Sequence, residues 1–200
     1  MHPQEAKNTW NIRFSSKEYI YGKAPNEFFK TEIDRLSPGR LLLPAEGEGR
    51  NAVYAAGLGW DVVAFDSSIE GQKKAIRLAE EQGVGIEYQL KSFNEFQAEE
   101  NSFDLLALVY VHHINRQSNH RKLLKYLKPG GIILLEGFTK EQLQNNTGGP
   151  SSLQLLFSEE EVMEDFQELS KIEIELSTKH LTEGKHHIGD AAIIRLKGVR

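Results

Sequence analysis

Short apolar runs alternate with amphipathic stretches along most of the chain, a pattern typical of β-α-β units. The runs that predict buried strands lie at 40–43, 61–65, 86–90, 103–110 and 132–138. The stretches whose apolar residues recur at helical spacing lie at 25–36, 50–58, 69–82 and 117–127. Because strands and helices alternate, the pattern predicts an α/β fold with helices on both faces of a mainly parallel sheet.

The C-terminal part of the chain changes period. Ser158 and Glu161 form the capping box of one more predicted helix. Apolar residues then alternate with acidic ones over 172–176, and a second apolar run follows at 191–196. This pattern predicts a hairpin rather than another β-α-β unit. The predicted fold is therefore α/β, a single Rossmann-like, doubly wound, seven-stranded, mainly parallel sheet with an antiparallel C-terminal hairpin.

A chain of 200 residues with 39% apolar content fits one domain with an ordinary core. No linker rich in proline, glycine or serine divides it, so we predict a single domain over 1–200. Within that domain, 1–36 is predicted to form an N-terminal cap and helix. The polar stretch 139–157 is longer than an ordinary connection and is predicted to be a substrate-loop insertion. A solvated loop without a role is the alternative.

Composition argues against several classes of partner and site. The net charge of −5 and the lack of any block of lysine or arginine argue against a nucleic-acid partner. The absence of cysteine excludes disulfides, thiolate nucleophiles and cysteine zinc sites. His186 and His187 would face opposite sides of a strand, so no metal site is predicted. With no apolar stretch of membrane-spanning length and no signal peptide, we expect a cytoplasmic protein, a monomer or weak dimer, whose partner is a small molecule.

A glycine turn follows the first predicted strand. Within 41–51 the strand breaks at Gly47 and Gly49 and a helix starts directly afterwards, which brings backbone N–H groups close to a ligand. Glu46 and Glu48 place two carboxylates there, and these would repel the pyrophosphate of a dinucleotide. A cationic adenosine ligand with an α-ammonium and a sulfonium, S-adenosylmethionine, suits the turn better. The glycine spacing by itself also fits a dinucleotide fingerprint, or a turn that only packs a helix on a strand.

Asp66 ends the second predicted strand, at the same edge of the sheet as the glycine turn. Its carboxylate can accept hydrogen bonds from both ribose hydroxyls of an adenosine group, each worth roughly 1.5–3 kcal/mol. The alternative is that Asp66 only caps the next helix, a role that Ser67 or Ser68 could fill equally well. We therefore predict Asp66 as a cofactor ligand.

These residues resemble the class I S-adenosylmethionine-dependent methyltransferases, most closely the branch that includes the tellurite-resistance and thiopurine methyltransferases. The resemblance covers nearly the whole chain. The motifs that carry it are the glycine turn at 46–51, Asp66, Phe103-Asp104 at the start of the fourth strand, Lys128-Pro129-Gly130-Gly131 before the fifth, and the terminal hairpin. The opening stretch 10–29 is similar to that branch's N-terminal cap over the cofactor.

The resemblance implies methyl transfer from S-adenosylmethionine to a small-molecule acceptor, with the cofactor bound across the carboxyl ends of strands one, two and four. The family usually has an acidic residue at the end of strand one and a glycine two positions later, where this chain has Leu43 and Ala45. We expect Glu46 to take over the attraction for the methionine ammonium. The predicted cofactor-binding residues are Tyr21, Glu46, Gly47, Gly49, Arg50, Asn51, Asp66, Ser67, Ser68, Ser92, Phe93, Asn94 and Val109.

His112 and His113 follow the fourth strand, where an acceptor would lie. We predict His113 as the catalytic base for an attacking O–H, N–H or S–H group; a hydrogen-bonded residue at the rim of the sheet is the alternative. Tyr19 and Tyr21 can cover the sulfonium through a cation–π contact, or can simply pack the N-terminal segment on the domain. Two other functions stay open: an NAD-dependent oxidoreductase, and a non-catalytic S-adenosylmethionine-binding protein.

Overall fold

A computed structural model describes residues 3–145, 147–184 and 187–200. Its seven strands are β1 (Arg40–Pro44), β2 (Asp61–Asp66), β3 (Glu87–Leu90), β4 (Phe103–Val109), β5 (Leu127–Phe138), β6 (Lys171–Glu183) and β7 (His187–Val199). Its helices are α1 (Pro3–Phe14), α2 (Glu27–Ile33), α3 (Arg50–Gly57), α4 (Ile69–Gln82), α5 (Arg116–Leu124) and α6 (Glu159–Asp165). Two short 3-10 helices, Lys140–Gln144 and Leu153–Leu155, follow β5.

The strands belong to one seven-stranded sheet. β1 pairs with β2 and β2 with β3 in parallel, as β4 does with β5, whereas β5 and β7 are antiparallel. β6 lies beside β7 at the edge of the sheet, and the two strands form the C-terminal hairpin. The predicted fold class is therefore confirmed.

The chain forms two compact units, and the first comprises the described residues up to Gln97 together with 183–184. Its strands lie in the order β3-β2-β1. β1 and β2 are buried almost throughout, as expected for central parallel strands. α4 packs directly on the glycine turn, because a Cβ atom at Gly49 would lie only 2.5 Å from the Cβ of Ala75. Glycine at this position is therefore required by the close approach of α4.

The second unit comprises 98–182 and the described residues from His187 onward. Its strands lie in the order β4-β5-β7-β6, and Leu135 of β5 lies opposite Leu196 of β7. Strand β4 is a nearly continuous apolar run, as the sequence predicted for a central strand. α6 begins at the predicted capping box, with Ser158 as its N-cap.

Some elements differ from their predicted bounds. α1 was not predicted, because its sequence is polar and lacks a periodic apolar face. α2 ends at Ile33 rather than at residue 36, and β5 already begins at Leu127. β6 and β7 have 13 residues each, more than the predicted runs, because much of β6 is solvent-exposed and its polar residues obscure the alternation.

Among the described helices, none has the length and apolar character needed to cross a membrane.

Candidate functional site

The glycine turn between β1 and α3 has a left-handed backbone at three positions. Ala45 has φ of +50°, Gly47 of +62° and Gly49 of +86°. The Glu46 N–H donates to the carbonyl of Phe65 (3.2 Å), which holds the turn against the end of β2. Positive φ is unusual for alanine, so the turn stores strain at the residue that directly follows β1.

Glu46 caps the helix that follows the turn. Its carboxylate accepts hydrogen bonds from the backbone N–H groups of Asn51 and Ala52, both at 2.8 Å. A negative charge is favourable at a helix N-terminus. Burial nevertheless raises the pKa of Glu46 to about 7, against the opposing effect of these N–H groups and of Arg50. Glu46 is thus a partly buried carboxyl group whose charged and neutral forms are both populated near neutral pH.

Glu48 has a different environment. Lys74 of α4 lies 2.7 Å from its carboxylate, and the backbone N–H of Ile20 donates to it at 2.8 Å. The ion pair with Lys74 offsets the charge of Glu48, and the bond to Ile20 fastens the N-terminal segment to the turn. The electrostatic argument for a cationic ligand therefore depends on Glu46 and Asp66 rather than on Glu46 and Glu48.

Asp66 lies at the end of β2 and fastens the glycine turn to it. Its carboxylate accepts from the backbone N–H groups of Gly47 (3.1 Å) and Ser68 (2.8 Å). Burial raises the pKa of Asp66 to about 6, and backbone N–H groups, including that of Ser67, oppose the rise. The side chain of Ser68, not that of Asp66, caps α4 by accepting from the N–H of Gly71 (3.1 Å).

The N-terminal segment is bonded to the start of α3. Arg50 donates to the carbonyl of Tyr21 (3.2 Å) and to Glu183 (2.8 Å). The Asn51 side chain accepts from the backbone N–H of Asn26 (2.9 Å). These bonds bring the predicted residues Tyr21, Arg50 and Asn51 into one network with the glycine turn.

Helix α1 covers the glycine turn. A Cβ atom at Gly47 would lie 3.0 Å from the ring of Phe14, which is buried. Asn11 accepts a hydrogen bond from the Ser68 hydroxyl (2.7 Å), and Trp10 stacks on Phe14 with ring centroids 5.2 Å apart. The first helix, which sequence analysis did not detect, thus contributes side chains to the surroundings of Asp66.

The residues predicted to contact adenine follow β3. The backbone N–H and hydroxyl of Ser92 both donate to Glu95, at 2.9 and 2.7 Å. Phe93 packs edge-on against Phe65, which directly precedes Asp66, and Asn94 is exposed. Ser92, Phe93 and Asn94 therefore lie after the carboxyl end of the strand that neighbours β2.

In the second unit, Val109 ends β4 and is partly buried. Tyr110 follows it with φ of +56°, an unusual backbone conformation for an aromatic residue. The Tyr110 ring stacks on Phe138 at 4.7 Å and meets His187 edge-on at 4.6 Å. An aromatic cluster therefore occupies the region where β4 and β5 end and β7 begins.

His112 bonds through both ring nitrogens. Its Nδ1 donates to the carbonyl of Leu155 (2.6 Å), and its Nε2 accepts from the backbone N–H of Phe138 (3.2 Å). Burial lowers the pKa of His112 to about 4, so the imidazole is neutral at physiological pH. His112 holds the second 3-10 helix against the end of β5, a role that sequence analysis did not assign to it.

His113 is the predicted base. Its Nδ1 accepts a hydrogen bond from the backbone N–H of Asn115 (3.0 Å). It is partly buried, and burial lowers its pKa, so it too is neutral at pH 7. A neutral imidazole is the form that can accept a proton. The role of His113 as catalytic base stays a prediction.

Described residues of the stretch 139–157 are hydrogen-bonded to one another and to β7. Gln142, buried at 2% exposure, donates to Thr147 (2.8 Å) and Gly148 (3.0 Å) and accepts from the backbone N–H of Ala192 (2.8 Å). Asn146 of this stretch lies outside the described residues. A buried glutamine therefore organises a segment whose composition suggested only a polar loop.

Within the part of the chain that the structure describes, no group of three or more His, Asp or Glu side chains could hold a metal ion. His180 pairs with Asp190 at 2.8 Å, and His187 belongs to the aromatic cluster. His186 lies outside the described residues.

Residues 44–131 match the family model described as a methyltransferase domain. This segment holds the glycine turn, Asp66 and both histidines after β4. The search of curated proteins found no match.

Solved structures match nearly the whole chain. One of these structures comes from work on the conversion of a disulfide bond into a thioacetal group during echinomycin biosynthesis. It is 17% identical to this chain with a TM-score of 0.76, and the match covers 98% of this chain and 92% of that one. TehB from Haemophilus influenzae is 16% identical with a TM-score of 0.69, covering 97% and 66%. Phosphoethanolamine N-methyltransferase 2 from Haemonchus contortus, in complex with S-adenosyl-L-methionine, is 16% identical with a TM-score of 0.70, covering 100% and 58%. At such identity these likenesses establish the fold.

Proposed function

We propose that this chain is an S-adenosylmethionine-dependent methyltransferase that acts on a small-molecule acceptor. The match of residues 44–131 to a methyltransferase domain and the class I fold support this function. The observation that carries the proposal is the buried carboxylate of Asp66 beside the glycine turn, at the carboxyl end of β2. Ligands of open α/β sheets bind at that end of the strands.

The residues around the turn fit the cofactor. Removal from water raises the pKa of Asp66 to about 6 and that of Glu46 to about 7. In the free protein, the neighbouring donors therefore do not fully offset the cost of charging these two carboxyl groups. A ligand with cationic groups would stabilise those charged forms. We assign Asp66 to the ribose hydroxyls and Glu46 to the methionine ammonium, and keep the other predicted cofactor residues as proposed contacts.

When bound, S-adenosylmethionine would supply an electrophilic sulfonium methyl group for the acceptor's lone pair, and the electron pair of the carbon–sulfur bond would remain on sulfur. The protein has to orient the acceptor and exclude water, effects that can contribute roughly 7–11 kcal/mol. A neutral His113 can take the proton of a hydroxyl acceptor. Thiolate acceptors carry no such proton and need no base.

Two features support a small-molecule acceptor. The acidic chain has no block of basic residues that would bind a nucleic-acid backbone. The stretch 139–157 is held in place by Gln142 and His112, as expected of a segment that shapes a specific pocket. The single domain, the cytoplasmic location and the monomeric or weakly dimeric state stay predictions.

The test combines binding with turnover. Calorimetry should detect binding of S-adenosylmethionine but not of NADH, and incubation with a panel of thiols, phenols and amines should release S-adenosylhomocysteine. Binding of NADH instead would support the oxidoreductase. Binding of S-adenosylmethionine without methyl transfer to any acceptor would support the non-catalytic binder.

A further inference from the structure

The hydroxyl of Tyr88 is bonded to the glycine turn. Tyr88 lies on β3 and is buried, and its hydroxyl donates to the carbonyl of Gly47 at 2.6 Å. Among the described residues, no other donor is hydrogen-bonded to this carbonyl. The bond therefore satisfies a buried backbone group that would be costly to leave unpaired.

The register of the sheet places Tyr88 on the same face as Asp66. In the parallel pairing of β2 with β3, Tyr88 lies opposite Ala64, two positions before Asp66. Side chains two positions apart on a strand point to the same face of the sheet. Because Ala64 is small, the ring of Tyr88 can extend across β2 to the turn that follows β1.

Gly47 is held on both sides. Its N–H donates to the carboxylate of Asp66 at 3.1 Å, and its carbonyl accepts from Tyr88. The first turn of α4 lies directly against it, since a Cβ atom at Gly71 would be 2.8 Å from the carbonyl oxygen of Gly47. Because one residue carries both groups, release of its carbonyl would also loosen the N–H that orients Asp66.

Tyr88 donates without adding charge. Burial raises the pKa of its phenol well above the usual range, and the carboxylates of Asp66, Glu46 and Glu48 raise it further. The hydroxyl therefore stays protonated and remains a donor at physiological pH. A lysine or arginine at this place would instead offset the negative charge of Asp66, which the proposed cationic ligand needs.

We propose that Tyr88 is a positioning residue for the cofactor. Through the carbonyl of Gly47 it fixes the glycine turn, and so holds the carboxylate of Asp66 in the orientation that accepts the ribose hydroxyls. This inference rests on the proposed function, which assigns Asp66 to the ribose. The competing role is structural: the hydroxyl only fastens β3 to the turn, with no effect on which ligand is bound.

Two ligands that differ only at the ribose separate these roles: S-adenosylhomocysteine and its dideoxy analogue, which lacks both ribose hydroxyls. Calorimetry measures their binding to the whole protein. The parent should bind S-adenosylhomocysteine at least tenfold more tightly than the analogue, because the hydroxyls bond to Asp66. Tyr88→Phe should weaken binding of S-adenosylhomocysteine about fivefold or more, and that of the analogue less than twofold. Equal weakening of both, or unchanged binding of both, would overturn the inference.

Tyr54→Phe is the matched control, since it removes a hydroxyl bond of the same length, 2.6 Å to Asp34, elsewhere in the first unit. It should bind both ligands like the parent, and an equal loss in this variant would count against a specific role of Tyr88. Tyr88→Met, which fills much of the ring volume and donates no hydrogen bond, should reproduce the pattern of Tyr88→Phe. Circular dichroism checks folding. If neither Tyr88 variant folds, the hydroxyl is needed for the fold itself and the inference is overturned.

Failure of this inference can be told apart from failure of the proposed function. A parent that binds neither S-adenosylmethionine nor S-adenosylhomocysteine would contradict the proposed function, and Tyr88 would have no cofactor to position. A parent that binds both, but has no preference for the ribose hydroxyls, would overturn the role of Tyr88 and leave methyl transfer intact.

Discussion

At the scale of single residues, Asp66 combines burial with donors that belong to the backbone. A carboxylate there can bind hydroxyl groups strongly, since each charge-assisted hydrogen bond is worth roughly 1.5–3 kcal/mol. We expect Asp66→Ala to weaken S-adenosylmethionine binding at least tenfold by calorimetry. Asp61→Ala, at the exposed start of the same strand, is the control and should bind like the parent. Equal affinity of Asp66→Ala and parent would contradict the assignment.

Ala45 has a left-handed backbone where the resembled family has glycine. Glycine removes the strain but adds freedom to the unfolded chain, so we expect Ala45→Gly to change the free energy of unfolding by less than about 1 kcal/mol. Ala45→Val should destabilise by about 2 kcal/mol or more, because a β-branched residue tolerates this conformation poorly.

The control for position 45 is Ala56→Val, inside α3, which should cost only about 0.5 kcal/mol through helix propensity. Urea denaturation of the variants gives the comparison. Similar losses at positions 45 and 56 would show that the strain at Ala45 is not significant.

The positions of some proposed site residues could be predicted, because these positions depend on local sequence. Gly47, Gly49 and Asp66 follow the ends of strands that the apolar pattern already marks. The pairing of Glu48 with Lys74 could not be predicted, because Lys74 lies 26 residues away on α4. Only the tertiary structure decides which of two neighbouring carboxylates is neutralised.

At the scale of elements, the stretch 139–157 shows where the pattern fails. Its polar composition predicted a loop, and neither 3-10 helix has a periodic apolar face long enough to detect. The hydrogen bonds of Gln142 and Leu155 depend on β7 and on His112 after β4, both distant from this stretch in sequence. α1 was missed for a similar reason, because Phe14 and Asn11 are fixed by tertiary contacts rather than by helix periodicity.

The buried imidazole of His112, with its bonds to Leu155 and Phe138, predicts a pH-dependent stability. The pKa of His112 is about 4 in the folded protein and about 6.5 when unfolded, so only the unfolded chain binds the proton between those values. The parent's free energy of unfolding should therefore decrease as the pH falls through this window, by at most about 3 kcal/mol from this group. His112→Asn removes that dependence, so the variant's deficit relative to the parent should shrink from pH 7 to pH 4.

Denaturation of parent and variant at matched pH values isolates His112, since slopes from other groups cancel in the difference. Gln144→Asn, which changes an exposed side chain that does not titrate, is the control and should show a nearly constant difference. If the loss in free energy of unfolding caused by His112→Asn stays constant over the same range, the lowered pKa of His112 is contradicted.

At the scale of the whole molecule, alternation of apolar and amphipathic segments was enough to predict the seven strands and the antiparallel end of the sheet. It could not predict that Glu183 would bond to Arg50 and Asn26, since this contact joins the C-terminal hairpin turn to the N-terminal segment. Bonds of this kind complete the surroundings of the glycine turn, and they depend on the finished fold rather than on any local pattern.

Cofactor binding should be linked to proton release. The pKa of Glu46 is about 7 in the free protein because of burial, so near pH 6 to 7 much of this group is protonated. The α-ammonium of the ligand stays charged below about pH 7, and its proximity lowers the carboxyl pKa. Binding should therefore expel a proton, and affinity should rise with pH across this range.

Calorimetry in buffers of different ionisation enthalpy measures the protons released. Glu46→Gln should release fewer protons and show a flatter dependence of affinity on pH, with Glu173→Gln, at an exposed position on β6, as the control. If proton release is unchanged in Glu46→Gln, the proton comes from another group. Asp66 is then the next candidate, because burial also raises its pKa, to about 6. Absence of release in the parent would instead mean that the ligand's cationic groups bind away from both carboxyls.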